Sequence, residues 1–190
     1  SGARQPFDQI AAFIQANPTW PSQEALKRRA EEAMDGSTPD SVARAWFQAG
    51  PPRTADGAAH YALVLLAAGE KAEAEKVARQ AWVNGTLQGG AVQDFYNRFS
   101  TLLRPEDHAA RLDRLVWDGQ DQAARAMYPH VEPDQRALAE VRLRMRRGDK
   151  SAEQAAAALP APLQGNPGLL FERVRMARQA NADDVARALL

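Results

Sequence analysis

Residues 17–21 read Asn17-Pro18-Thr19-Trp20-Pro21, and the stretch after them, Ser22–Met34, reads SQEALKRRAEEAM. Neither proline has a backbone N–H to donate, and each pushes the residue before it, Asn17 or Trp20, out of helical geometry. A helix carrying Phe7, Ile10, Ala11 and Ile14 at helical spacing therefore stops near Ala16, and a new one begins just after Pro21. Ser22 is a suitable N-cap for it, and Glu24 falls in the first turn, where the helix dipole favours negative charge. Leu26, Ala30, Ala33 and Met34 share one face. Glu24/Arg28, Lys27/Glu31 and Arg28/Glu32 are i,i+4 pairs expected on the solvated face. Trp20 reads as an apolar wedge fixing how the two helices meet.

Outward from this joint the chain is helical throughout. About one residue in five is alanine, the best helix former, and there are only two isoleucines. No alternating strand pattern is found. The spacing predicts helices over 41–49, 55–68, 72–83, 91–103, 105–118, 123–128, 133–147, 151–159, 169–179 and 183–190. Pro105 suits a first helical turn, Pro129 is expected to stop the short helix before it, and Pro160 and Pro162 the alanine-rich one.

One unit recurs: a helix, a Gly or Asn stop, then a second helix. The stops are Gly69, Gly119, Gly148 and Asn181, the last two intervals being 29 and 33 residues. Gly or Asn supplies a left-handed C-cap, and alanine lets the paired helices approach closely. Stacked helix pairs of this length are the sequence form of an α-solenoid. The fold class expected is all-α: a right-handed α-superhelix of helix pairs over residues 7–190, with residues 1–6 a tag remnant or disordered start. The last helix is expected to be cut short, leaving Val185, Leu189 and Leu190 uncovered.

Composition excludes several functions. There are 24 basic and 24 acidic residues, which disfavours a nucleic-acid partner. No cysteine is present, so disulfides, thiol catalysis and cysteine-based zinc sites are ruled out. The longest apolar run, Tyr61–Ala68, is far short of the roughly 20 residues that a membrane span requires.

The Asn17–Pro21 joint has a partner further on: Pro105-Glu106-Asp107-His108, then Arg111-Leu112-Asp113-Arg114-Leu115-Val116-Trp117-Asp118-Gly119. Together with Leu26-Lys27-Arg28-Arg29-Ala30-Glu31, these segments resemble, in order and spacing, the N-terminal superhelical region of the soluble lytic murein transglycosylases. The wording characteristic of that region is NP-x-WP, an LRRRAE-like helix and EDH-x-x-RLD-x-LLW-x-G, with Val116 here in place of one leucine. The residues carrying the resemblance are Asn17, Pro18, Trp20, Pro21, Arg28, Arg29, Glu31, Glu106, Asp107, His108, Arg111, Leu112, Asp113, Trp117 and Gly119. The resemblance implies a periplasmic parent enzyme that cleaves peptidoglycan between N-acetylmuramic acid and N-acetylglucosamine, leaving a 1,6-anhydro end. It also implies a superhelix curled into a ring or horseshoe, glycan strands as a partner, and a separate downstream lysozyme-like domain bearing a Glu-Ser motif. No cofactor or metal is implied.

Glycoside cleavage requires a carboxyl group able to protonate the leaving oxygen. No glutamate of this chain precedes a serine, and most lie in charged helical stretches that read as solvated surface. No catalytic residue is therefore expected within 1–190. His108, with Glu106 and Asp107, reads as a helix N-terminal turn; His60 and His130 are too distant in sequence to complete a metal site by spacing alone. Arg142, Arg144, Arg146 and Arg147 read as a solvated helix end favoured by its dipole. Trp20, Trp46, Trp82 and Trp117 are expected to pack in the core rather than stack on sugars. The other reading that helix pairs allow is a helical-repeat module binding a protein partner, since fold does not fix function.

Overall fold

The computed structural model describes residues 6–188; the expected tag remnant over residues 1–5 and the terminal Leu189 and Leu190 lie outside them. The fold is all-α. Among the described residues there are thirteen α-helices, and no strand. The chain divides into two compact units, residues 1–103 and 104–190.

The first unit contains α1 (Phe7–Ala16), α2 (Gln23–Ala33), α3 (Asp40–Gln48), α4 (Ala55–Ala67), α5 (Lys71–Asn84) and α6 (Gly90–Phe99), the last running into a 3-10 turn, Ser100–Leu102. α1 packs on α2, α2 and α3 on α4, and α4 along most of its length on α5. Alanine makes that last approach close: Ala58, Ala62, Ala74, Ala78 and Ala81 are all buried. The core beyond them is aromatic. Trp82 is fully buried, stacked 5.9 Å from Phe95, which in turn lies 4.7 Å from Phe99.

The second unit contains α7 (Pro105–Trp117), α8 (Asp121–Ala126), α9 (Pro133–Arg146), α10 (Ala152–Ala157), α11 (Ala161–Gln164), α12 (Pro167–Gln179) and α13 (Asp183–Ala188). α9 is its centre, packed on α7, α8, α10 and α12. Leu138, Val141 and Met145 of α9 meet Ala152 and Ala156 of α10, Leu159, and Leu169 of α12 in one apolar cluster. Proline opens α7, α9 and α12 at the first position, where its missing N–H costs nothing. Two of the expected proline stops behave otherwise. Pro129 sits inside a 3-10 turn, Tyr128–His130, and Pro162 lies within the first turn of α11, both positions that need no proline N–H.

The four stops have one geometry. Gly69, Gly119, Gly148 and Asn181 all have φ between 56° and 78°. At each, the next residue's N–H reaches back five residues and the stop's own N–H reaches back three: Glu70 to Leu65 and Gly69 to Leu66, Gln120 to Leu115 and Gly119 to Val116, Asp149 to Arg144 and Gly148 to Met145, Ala182 to Ala177 and Asn181 to Arg178. This is the Schellman closure of a helix end, which favours glycine because only glycine takes a positive φ without strain. Two of the partner helices start without a side-chain cap. Glu70 and Gln120 stand at the N-cap positions of α5 and α8 without a side-chain cap bond. After Gly148 the work falls to Asp149, which accepts from the Ser151 N–H and hydroxyl and from Arg144; these donors hold its carboxyl at about 2.

Candidate functional site

At the Asn17–Pro21 joint, α1 ends as the prolines require. The Asn17 N–H and side-chain amide both donate to the Phe13 carbonyl, and the Asn17 carbonyl accepts from the Trp20 N–H and the Gln23 amide. Two expectations fail here. Ser22 takes a left-handed conformation, φ 64°, and its side chain caps nothing. Trp20 is no core wedge: it is 52% exposed and meets Phe13 edge-on at 5.4 Å, a surface clasp across the joint. The charged face of α2 also differs. Glu24 pairs with Lys27 and with Arg53 rather than along the expected i,i+4 rows, while Arg28 and Arg29 are exposed.

Glu31 is the largest departure. Expected on the solvated face, it is 0% exposed. Its Oε2 accepts from the Arg53 N–H at 2.7 Å, the Thr54 N–H at 2.8 Å and the Thr54 hydroxyl at 3.1 Å, and the Arg53 guanidinium lies 3.7 Å from Oε1. Thr54 is the N-cap of α4 and accepts the Gly57 N–H. A carboxylate from one helix thus serves the N-terminus of another, where free N–H groups and the dipole favour an anion.

The Glu106–Gly119 segment is equally structural. Asp107, buried, accepts the Arg104 N–H at 2.9 Å and closes the first turn of α7, while Glu106 is exposed. Leu112 is core. Arg111 is buried, and burial, with Arg114 nearby, pushes its guanidinium down to about 10. Asp113 pairs with Arg142, and Gly119 ends the helix. His108 and His130, kept apart by spacing in the sequence, are in ring contact at 5.5 Å. Among the described residues no group of three His, Asp or Glu side chains is placed to hold a metal.

Of the four arginines at the end of α9, Arg147 is exposed, Arg144 and Arg146 are partly covered and Arg142 is buried. Arg142 is 1% exposed, its guanidinium 5.0 Å over the Trp117 ring and against Gly168, where a Cβ would strike it. Arg146 donates to the carbonyls of Val116 and Trp117, a cation placed on the C-terminal end of α7. It also lies 3.8 Å from Glu172, a buried carboxylate that pairs with Arg175 at 2.8 Å. Arg144 and Arg147 hold Asp149 and Glu140. Burial pushes the Glu140 carboxyl up, but hydrogen bonds from Arg125 and Tyr128 outweigh it and hold it below the usual value. Buried carboxylates therefore exist, yet each is engaged by donors, Glu31 by the start of α4, Asp107 by the start of its own helix and Glu172 by Arg175 of its own helix, the reverse of a side chain free to hand a proton to a leaving group.

Of the four tryptophans only Trp82 is fully buried; Trp46 is partly covered and meets Phe7 at 5.3 Å. Trp117 is 41% exposed and lies 5.0 Å from Phe171, itself 50% exposed. Among the described residues, concavities adjoin the aromatic side chains of Trp46 and Phe171. One, of about 670 Å³, runs between α1 and α3 over Ala11, Ala12, Ala45 and Trp46, whose indole N–H is buried without a partner. The other, of about 340 Å³, lies along α12 by Phe171. Sequence reasoning missed Phe171 because nothing in the spacing of α12 marks it as the neighbour of a tryptophan two long helices away.

No family model, curated protein or solved structure matches the chain. No helix among the described residues is long and apolar enough to cross a membrane.

Proposed function

We propose that this chain is a non-catalytic superhelical segment of a periplasmic lytic transglycosylase, a scaffold that positions glycan strands for a catalytic domain elsewhere in the same protein. In this reading the helix pairs continue as a right-handed superhelix, and the parent enzyme cleaves the N-acetylmuramic acid to N-acetylglucosamine bond with anhydro-ring formation. The observation that carries the scaffold part is the use made of the resemblance-bearing residues. Glu31, Asp107, Arg111, Leu112, Asp113 and Gly119 all build or join helices. The repeated Schellman ends, and the packing of α9 on both α7 and α12, support a stack of helix pairs.

The test is incubation of the purified chain with isolated sacculi. No soluble muropeptide is expected; sustained release of fragments would overturn the scaffold reading. The competing reading, a helical-repeat module for a protein partner, is favoured by the apolar groove between α1 and α3, whose alanine floor suits close approach of a helix.

A further inference from the structure

We propose that the groove between α1 and α3, in the first unit, seats an α-helix of a partner protein, one with an acidic first turn and a basic last turn, lying antiparallel to both. This goes beyond the scaffold reading and does not rest on it. α1 packs on α2, and α3 on α4, so the two are held by different neighbours. Phe7 and Trp46 meet edge-on between them at 5.3 Å, and beside that contact the groove opens to about 670 Å³. Its walls are small or apolar: Ala11, Ala12 and Ile14 on one side, Val42, Ala45 and Trp46 on the other. Val42 is 43% exposed, and Ala12 and Ala45 are exposed too. Alanine on facing walls is how this chain seats its own helices, since Ala58, Ala62, Ala74 and Ala78 are buried where α4 lies along α5. A helix is the occupant that such walls fit, its side-chain ridges lying between rows of small residues.

Charge sets the direction of that helix. Phe7 and Asp8 open α1 and lie with Val42, in the first turn of α3, around a second concavity of about 410 Å³, which continues the groove and holds Asp35. Asp8 makes no ion pair among the described residues. The other end, at Gln15 and Gly50, carries Lys27 and Arg53. The Arg53 guanidinium lies beside Gly50, and Lys27 shares the exposed Glu24 with it. The second carboxylate near Arg53, that of Glu31, is committed to the N–H groups at the start of α4. α1 and α3 therefore run the same way, acidic where they begin and basic where they end. Carboxylates in the first turn and cations in the last are what a helix's own dipole favours. Laid antiparallel, such a helix brings its carboxylates to Lys27 and Arg53 and its cations to Asp8, and its dipole opposes those of both walls. A fatty-acid chain would also suit the apolar walls, but it offers nothing to Asp8.

The test titrates the 190-residue chain with three probes, read by calorimetry and by the NMR signal of the Trp46 indole N–H. The first is a synthetic helix of the length of α5, 14 residues, with leucine and alanine on one face, glutamates in its first turn and lysines in its last. The second has those charged turns exchanged, and the third is laurate. The first peptide should bind and move the Trp46 signal. Exchanging the turns should weaken binding about tenfold, as for two surface ion pairs replaced by like-charge contacts. Asp8→Lys should cut that preference to about threefold. Ala12→Gln with Ala45→Gln fills the groove and should weaken the first peptide about tenfold; both positions are exposed and glutamine is a good helix former, so this variant should melt with the wild type. The proposal is overturned if the first peptide does not bind, if the filled groove binds it as well, if the two peptides bind alike, or if laurate binds as tightly and moves the same signal. Sedimentation showing a dimer of the chain that the double variant breaks would overturn it too, since the occupant would then be a second copy.

Discussion

The carboxylate of Glu31 fills the space that a side chain at Gly57 would need: a Cβ built there falls 2.6 Å from Glu31 Oε2. Gly57 is in the first turn of α4, and its backbone conformation is ordinary, so its requirement is room rather than flexibility. Gly57→Ala is expected to destabilise the first unit by about 1–3 kcal/mol through overpacking. Glu31→Ala should cost about 3–5 kcal/mol, since it strands the Arg53 and Thr54 N–H groups and a partly buried guanidinium. Urea titration reads both. A wild-type midpoint in either variant would show that the carboxylate is not what joins α2 to α4.

Gly119 and Gly148 separate two contributions that usually travel together. Both have φ above 70°, but a Cβ at 119 would lie 2.6 Å from the Arg146 guanidinium, whereas the space around 148 is open. Gly148→Ala should cost about 1–2 kcal/mol, the strain of a left-handed residue. Gly119→Ala should cost more, because it also displaces Arg146 from the Val116 and Trp117 carbonyls. Equal losses in thermal melts would mean that Arg146 contributes nothing as the cap of α7.

Acidification should destabilise the protein through two histidines. Burial holds His60 and His108 below the ordinary imidazole value, with His130 adding to the effect at His108. The unfolded chain therefore takes up protons first as pH falls. Stability from these groups is complete above about 6.5 and declines as the pH drops through that value toward their folded-state values. Tm should be lower at pH 5.5 than at pH 7.5, and His60→Gln with His108→Gln should shrink the difference. An equal Tm at the two values would remove both histidines from the account.

Trp82 and Trp20 diverge. Trp82→Ala should cost about 3–5 kcal/mol, as for a fully buried large side chain. Trp20→Ala should cost only about 1 kcal/mol, the value of one exposed edge-on aromatic pair with Phe13. Similar losses from the two would return Trp20 to the core.

Backbone instructions were legible and long-range partnerships were not. Pro18 and Pro21 act through sterics within their own dipeptides, so α1 was expected to stop near Ala16, where it ends. Gly69, Gly119, Gly148 and Asn181 likewise declare the same helix end four times. Ser22 misled because an N-cap preference competes with the turn that Pro21 imposes, and the turn prevails. Glu31 and Arg142 sit in runs of charge indistinguishable from solvated faces. Only a partner far along the chain, Thr54 for one and Asp113 with Trp117 for the other, brings them inside. Gly57 and Gly168, glycines within helices with no turn to make, were the available sign that something large lies opposite.

The proposed function is scaffolding of an anhydro-forming peptidoglycan lyase. Its most direct measurement is mass spectrometry of the glycan ends released from sacculi by the protein that the whole reading frame encodes, beside the 190-residue chain alone. The account predicts 1,6-anhydro ends from the former and no released fragments from the latter. Reducing ends, no cleavage by the whole protein, or cleavage by the chain alone would contradict it.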